Sequence, residues 1–189
     1  LLDNYITTTL TVITGPPEIE GLVDVYMLEN SSIILGFNVS DLDGTDISMA
    51  INEAPEYVTL NYITGEESGS IDIVPGYGAE SGLVVVTATN SEEVPESVSV
   101  SFMIYINHYP QLLPNETVYL QLGDSDGFEV QISDIDGDNM TLTLNSAPGY
   151  VSYTPYDDIS GYIEIISSIG DESGDIIFTI TDDGSPPVN

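Results

Sequence analysis

Apolar and polar residues alternate along most of this chain, and the alternation comes twice. Leu35, Phe37 and Val39 are separated by small or polar residues, as are Ile47, Met49 and Ile51, Ile71 and Ile73, and Val84, Val86 and Ala88. A period of two places such residues on one face of a half-buried strand. The pattern returns at Phe128, Val130 and Ile132, at Met140, Leu142 and Leu144, at Ile163 and Ile165, and at Ile176, Phe178 and Ile180. Asp-Gly, Pro and Ser-Gly turn signals separate the runs. No segment shows an apolar 3.6 period with caps, so the pattern predicts an all-β, antiparallel sandwich architecture with little helix.

The duplication is explicit in the turns. Ser40-Asp41-Leu42-Asp43-Gly44 matches Ser133-Asp134-Ile135-Asp136-Gly137 at an offset of 93, and Ala54-Pro55-Glu56-Tyr57-Val58 matches Ala147-Pro148-Gly149-Tyr150-Val151 at the same offset. Glu80-Ser81-Gly82 matches Glu172-Ser173-Gly174 at 92. A length of 189 residues suits two domains of about 90 to 100 residues, each able to bury a core. The first repeat is expected over 15–107 and the second over 108–189.

The copies differ at their ends. The first finishes with an alternating strand through Val98, Val100, Phe102, Ile104 and Ile106, then reaches Asn107-His108-Tyr109-Pro110. The second stops at Thr181-Asp182-Asp183-Gly184-Ser185-Pro186-Pro187, one strand short. A strand of that kind stands instead at the front, alternating through Ile6, Thr8, Leu10 and Val12 before Gly15-Pro16-Pro17. Residues 1–14 thus read as the last strand of a preceding or neighbouring repeat. A sandwich lacking its last strand exposes an apolar groove and unpaired backbone groups. Three arrangements satisfy them. The chain is one period of a longer tandem array; or residues 1–14 complete the second sandwich of the next copy, a β-augmentation that is heterologous and yields a filament; or the strand folds back onto its own chain's second sandwich. The plainer alternative is that it simply begins the first repeat.

Composition narrows the setting. The chain has no Lys or Arg, 32 Asp and Glu, and a formal charge of −32, far beyond the magnitude of about 2 to 8 of an ordinary small domain. Carboxylates in such number repel one another unless divalent cations, salt or acid neutralise them. Nucleic acid and anionic membrane surfaces are excluded as partners, because phosphate contacts rely on Lys and Arg. No apolar run approaches the roughly 20 residues of a membrane-spanning helix. Cysteine is absent, which removes disulfides, thiol nucleophiles and Cys-type zinc sites.

Asp134, Asp136 and Asp138 place three hard oxygen ligands at alternate positions around Gly137, the kind of spacing that calcium loops use. Asp182 and Asp183 end the strand expected to approach that loop. In the first copy the corresponding set is Asp41, Asp43 and the displaced Asp46. Ca²⁺ is the expected ion, although Asp-Gly is also a favoured turn pair in its own right. His108 is the single histidine; alone in a linker, with no nucleophile-elbow pattern, it supports no hydrolytic relay. With no Trp to stack a sugar, an enzyme is not expected. Asn30, Asn38, Asn115 and Asn139 each begin an N-glycosylation acceptor pattern, in keeping with a secreted glycoprotein. Twelve Tyr against four Phe suits ring faces half-exposed at contacts.

These residues resemble the cadherin-like, dystroglycan-type repeats of bacterial and archaeal surface proteins. The resemblance lies in Ser133 to Asp138, in the Ser-Gly turn before the Thr-x-Thr-Asp-Asp-Gly strand end (Ser173 to Gly184), and in a Pro-marked start to each copy. It implies immunoglobulin-like sandwiches, a cell-surface location, a role as stalk, adhesin or interaction module, and Ca²⁺ binding. Asn107-His108-Tyr109-Pro110 and Gly15-Pro16-Pro17 lack the acidic linker of classical cadherins, so any ion is expected within a repeat. The expected function is therefore a structural component of an extracellular filament, pilus-like fibre or stalk with itself as partner. The alternative is an adhesin that recognises glycan or protein through its loops.

Overall fold

The computed structural model describes residues 15–42, 44–114, 117–184 and 186; the expected assembly strand, with Ile6, Thr8, Leu10 and Val12, lies outside them, as do Asp43 and Asn115. Among the described residues there are fourteen strands in antiparallel sheets and no helix.

The first sandwich holds β1 (Glu18–Glu20), β2 (Val25–Leu28), β3 (Ile33–Ser40), β4 (Ile47–Glu53), β5 (Val58–Asn61), β6 (Ser68–Ile73), β7 (Gly82–Asn90) and β8 (Ser97–Asn107). One sheet runs β1-β3-β6-β5 and the other β2-β8-β7-β4. The alternation sets the burial: Phe37 and Val39 of β3, Ile71 and Ile73 of β6, Val84, Val86 and Ala88 of β7, and Phe102 and Ile104 of β8 all face inward, at 3% exposure or less. Strand β8 is central. It lies between β2 and β7, and its register sets Val84 opposite Phe102 and Thr87 opposite Ser99.

The second sandwich holds β9 (Gln111–Leu113), β10 (Ser125–Ser133), β11 (Met140–Ser146), β12 (Val151–Pro155), β13 (Ser160–Ile166) and β14 (Ile177–Asp182). Its first sheet, β12-β13-β10-β9, copies the β1-β3-β6-β5 sheet strand for strand. Glu18 pairs with Ser40 and Gln111 pairs with Ser133, so the offset of 93 holds in the register as well. Val130, Ile132, Leu142, Ile163 and Ile165 form its buried core.

Among the described residues its second sheet comprises β11 and β14. Among the described residues nothing matches β8, and the β2 counterpart is lost with it. Val118-Tyr119-Leu120 repeats Val25-Tyr26-Met27 in sequence, yet forms no strand. The reason is physical: β2 takes its backbone partners from β8, and a segment without a partner strand has no ladder to join.

By contact density the chain divides into two compact units. Of the described residues, one comprises Gly15–Val25, Ser32–Pro75 and Ser81–Ile104, and the other comprises Tyr26–Ser31, Gly76–Glu80 and those from Tyr105 to Pro186. The second unit thus takes in the ends of β2 and β8 and the loop after β6.

Candidate functional site

Two features of the second unit stand out, and the first is an open groove over β14. In β7 the inward residues Val84, Val86 and Ala88 are wholly buried, at 0%. Their counterparts Ile176, Phe178 and Ile180 remain partly exposed, and Ile177 on the outer face is 49% exposed. Phe178 rests edge-on against Tyr153, with ring centroids 5.2 Å apart. The groove has a volume of about 810 Å³ and is lined by Val118, Leu120, Phe128, Tyr150, Ile165 and Phe178 among others. Its lining includes Val118 and Leu120, counterparts of β2, and Ile176 and Phe178, counterparts of β7, the two strands that flank β8 in the first sandwich.

The second feature is the acidic turn between β10 and β11. Asp134, Asp136 and Asp138 bring carboxylate oxygens within 4.8 Å of one another. Asp134 accepts the Asp136 N–H through Oδ1 at 2.7 Å, while its Oδ2 is buried with no hydrogen-bond donor. Asp182, only 7% exposed at the end of β14, accepts from the Gly184 N–H (3.1 Å) and the Asn107 amide (3.4 Å). At Gly184 a Cβ would collide with the Asp138 carboxylate and the Asn107 amide, so the close approach there needs a glycine. Partial burial, and then the charges of Asp134, Asp136, Asp182 and Asp183, push the Asp138 carboxyl above its ordinary value. Crowded carboxylates of this kind gain most from a bound cation.

The expected ligands are not equivalent. Both Asp136 oxygens lie 2.9 Å from His108 Nδ1, and Oδ2 also accepts the His108 backbone N–H at 2.7 Å. Asp183 is exposed and clamps Asn139, accepting from its backbone and side-chain amides at 2.9 Å, and these bonds hold its carboxyl below the ordinary value. In the first copy Asp41 accepts from Thr45 at 2.7 Å and keeps a buried Oδ1 without a donor, whereas Asp46 is exposed beside Gly65. The Asp182 position is held there by Asn90, which accepts from the Glu96 N–H and donates to the Gly15 carbonyl. Among the described residues only the second copy gathers three carboxylates. Of the glycosylation candidates, Asn30 and Asn38 are exposed, and the Asn139 amide is engaged by Asp183.

Periodicity gives no sign of two participants, Glu29 and Asn107. Glu29 is 2% exposed, and its carboxylate accepts from the Gly78 N–H (2.8 Å) and the Tyr109 N–H (3.2 Å). His108, 8% exposed, sits between Asp136 and the Ala79 carbonyl, which lies 3.0 Å from Nε2. Both ring nitrogens therefore face acceptors, which the imidazolium satisfies and a neutral ring does not. Burial alone would lower its pKa; the hydrogen bond and charge of Asp136, then Glu29 and the Ala79 carbonyl, outweigh that and raise it.

Paired four-stranded and partial antiparallel sheets in tandem match a titin fragment of three immunoglobulin domains, I67–I69 in a Glu-to-Ala variant, with a TM-score of 0.50, 12% identity and 90% of this chain covered. The fold is immunoglobulin-like. This chain spans 61% of that fragment's length. The titin tandem A164–A165 (TM-score 0.40, 13% identity, 92% of this chain and 93% of that one) and an endo-fucoidan hydrolase of glycoside hydrolase family 107 (0.42, 17%, 90% and 27%) align more loosely and carry no argument. No family model and no curated protein matches the sequence. The likeness shows the fold alone, and function has to be argued from the sites.

Proposed function

We propose that this chain is a structural subunit of an extracellular surface filament or stalk of the cadherin-like, dystroglycan type, in which residues 1–14 of one copy complete the second sandwich of the next. The groove beside β14 carries this reading. It has the place of β8, partly exposed apolar residues where the first copy buries its own, and a neighbouring Val118-Tyr119-Leu120 segment that keeps the strand sequence without a strand partner. Residues 1–14 supply a strand of the right length and alternation. Backbone pairing on both sides of an inserted strand and burial of its apolar face are the forces that drive strand addition.

The reading includes a calcium ion held by Asp134, Asp138 and Asp182, whose hard oxygens suit it. Bound there, it would offset the local repulsion and fasten the end of β14 to the β10–β11 turn.

Sedimentation and negative-stain imaging of the native chain and of Leu10→Asp test the assembly. Native protein should form end-to-end polymers, and Leu10→Asp should remain a folded monomer. A native monomer whose N-terminal strand pairs within its own chain would defeat the reading. Glycan binding by a monomer that never self-assembles would favour an adhesin instead.

A further inference from the structure

Resting on the strand-donation reading, we infer the register of the donated strand: Thr7 stands opposite Thr179 and Leu10 opposite Ile176, a frame that slips one residue from the one the repeat itself dictates. The turns, the β1 and β9 registers and the shared Pro17 and Pro110 all give an offset of 93. Carried back along β8, that offset sets Thr7, Thr9 and Thr11 on the inner face, where Val100, Phe102 and Ile104 stand in the first sandwich. It also turns Ile6 and Leu10 to the solvent. Three observations favour an offset of 92 instead.

The first is the inner face. At 92, Ile6, Leu10 and Val12 replace Val98, Phe102 and Ile104, and Thr8 replaces Val100. By the β7–β8 register Ile6 meets Ile180, Thr8 meets Phe178, Leu10 meets Ile176 and Val12 meets Gly174, where β7 has Ala88, Val86, Val84 and Gly82. Phe178 and Ile176 are larger than Val86 and Val84, while Thr8 and Leu10 are no larger than Val100 and Phe102, so the volumes offset at those two pairs.

The outer face gives the second observation. In the first sandwich Thr87 joins Ser99 (2.7 Å) and Asn52 (2.6 Å), and Thr89 joins Ser97 (2.8 Å), in a ladder of hydroxyl and amide groups across three strands. The second sandwich keeps half of it, Asn145 donating to Thr179 at 2.5 Å. Of the two offsets, 92 sets a hydroxyl, that of Thr7, opposite Thr179, as Ser99 stands opposite Thr87, whereas 93 sets Ile6 there.

The third lies at the strand's end. Asn107, last residue of β8, donates to Asp182 at the end of β14; Asn90, the counterpart of Asp182, donates to the Gly15 carbonyl. Gly15 thus takes the place of Asn107, which is the offset of 92. The shorter junction, Pro16-Pro17 in place of His108-Tyr109-Pro110, needs a sharper turn, and Gly15 has φ of +110°, open to glycine.

The chain has no cysteine, so paired cysteines read the register directly. Three variants carry Thr179→Cys together with Tyr5→Cys, Ile6→Cys or Thr7→Cys, and are oxidised after assembly. Thr7→Cys with Thr179→Cys should give a ladder of covalent multimers on a non-reducing gel, at least tenfold above the other two. Preferential linkage through Ile6 or Tyr5 would overturn the register while leaving strand donation standing. No linkage in any pair would overturn the register while leaving donation to the sedimentation test, and linkage within single chains would overturn donation itself and the register with it.

Discussion

Truncating Phe178 separates a groove that awaits a strand from one that is merely a surface recess. Removing a fully buried Phe side chain costs about 3 to 5 kcal/mol. In the unassembled chain Phe178 is partly exposed and keeps only the edge contact with Tyr153 and the neighbouring core, so Phe178→Ala should cost about half of that, roughly 1.5 to 2.5 kcal/mol. The remainder is realised only when a strand covers it. Each joint should therefore weaken by a similar amount, which at 1.4 kcal/mol per tenfold is roughly ten- to sixtyfold in the assembly constant. Val86→Ala, at the matching and wholly buried position of β7, is the control; it should cost about 2 kcal/mol of stability and leave assembly unchanged. Urea unfolding of dilute monomer gives the first quantity, and sedimentation across a concentration series gives the second. A Phe178→Ala variant that loses the full 3 to 5 kcal/mol as a monomer yet assembles normally would refute the reasoning.

Other expectations are sharper in one direction each. Chelation should lower the melting temperature of the native chain, whereas Asp138→Asn should raise it in chelator by relieving the crowding of Asp134 and Asp182, and should abolish the calcium response; equal melting of the native chain with and without chelator would sink the ion. Gly184→Ala removes no ligand but drives a methyl into Asp138 and Asn107, so it should weaken the calcium response at least tenfold by titration. For His108 the folded-state pKa is raised, so its contribution is complete below the ordinary histidine value and is lost as pH rises through the raised one. In chelator, then, native protein should lose stability from about pH 6.5 upward while His108→Gln stays flat over that window; parallel pH curves would contradict the clamp.

Much of the fold was legible from spacing because an antiparallel sheet with one wet face writes its burial into alternate residues. Strands β3, β4, β6, β7 and β8, and β10, β11, β13 and β14 as the copies of the first four, fall where the period of two places them. The three- and four-residue edge strands β1, β2, β5 and β9 are too short for a period to declare itself. Val118-Tyr119-Leu120 shows the limit from the other side: its sequence is that of a strand, but pairing is a property of the partner. The acidic loop could be read because three Asp at alternate positions stay close on any tight turn. Glu29 could not, since a carboxylate that accepts two backbone N–H groups from distant loops leaves no local pattern. His108 looked like a lone linker residue, and what gives it a role is Asp136, 28 residues on.

What fills the groove beside β14 decides between strand donation and an open sandwich. A helical reconstruction of the assembled protein should show residues 1–14 of one copy lying between β14 and the Val118–Leu120 segment of the next, with Leu10 and Val12 turned into the groove. Density that connects that strand to its own chain's second sandwich, or a groove left open in the assembly, would contradict it.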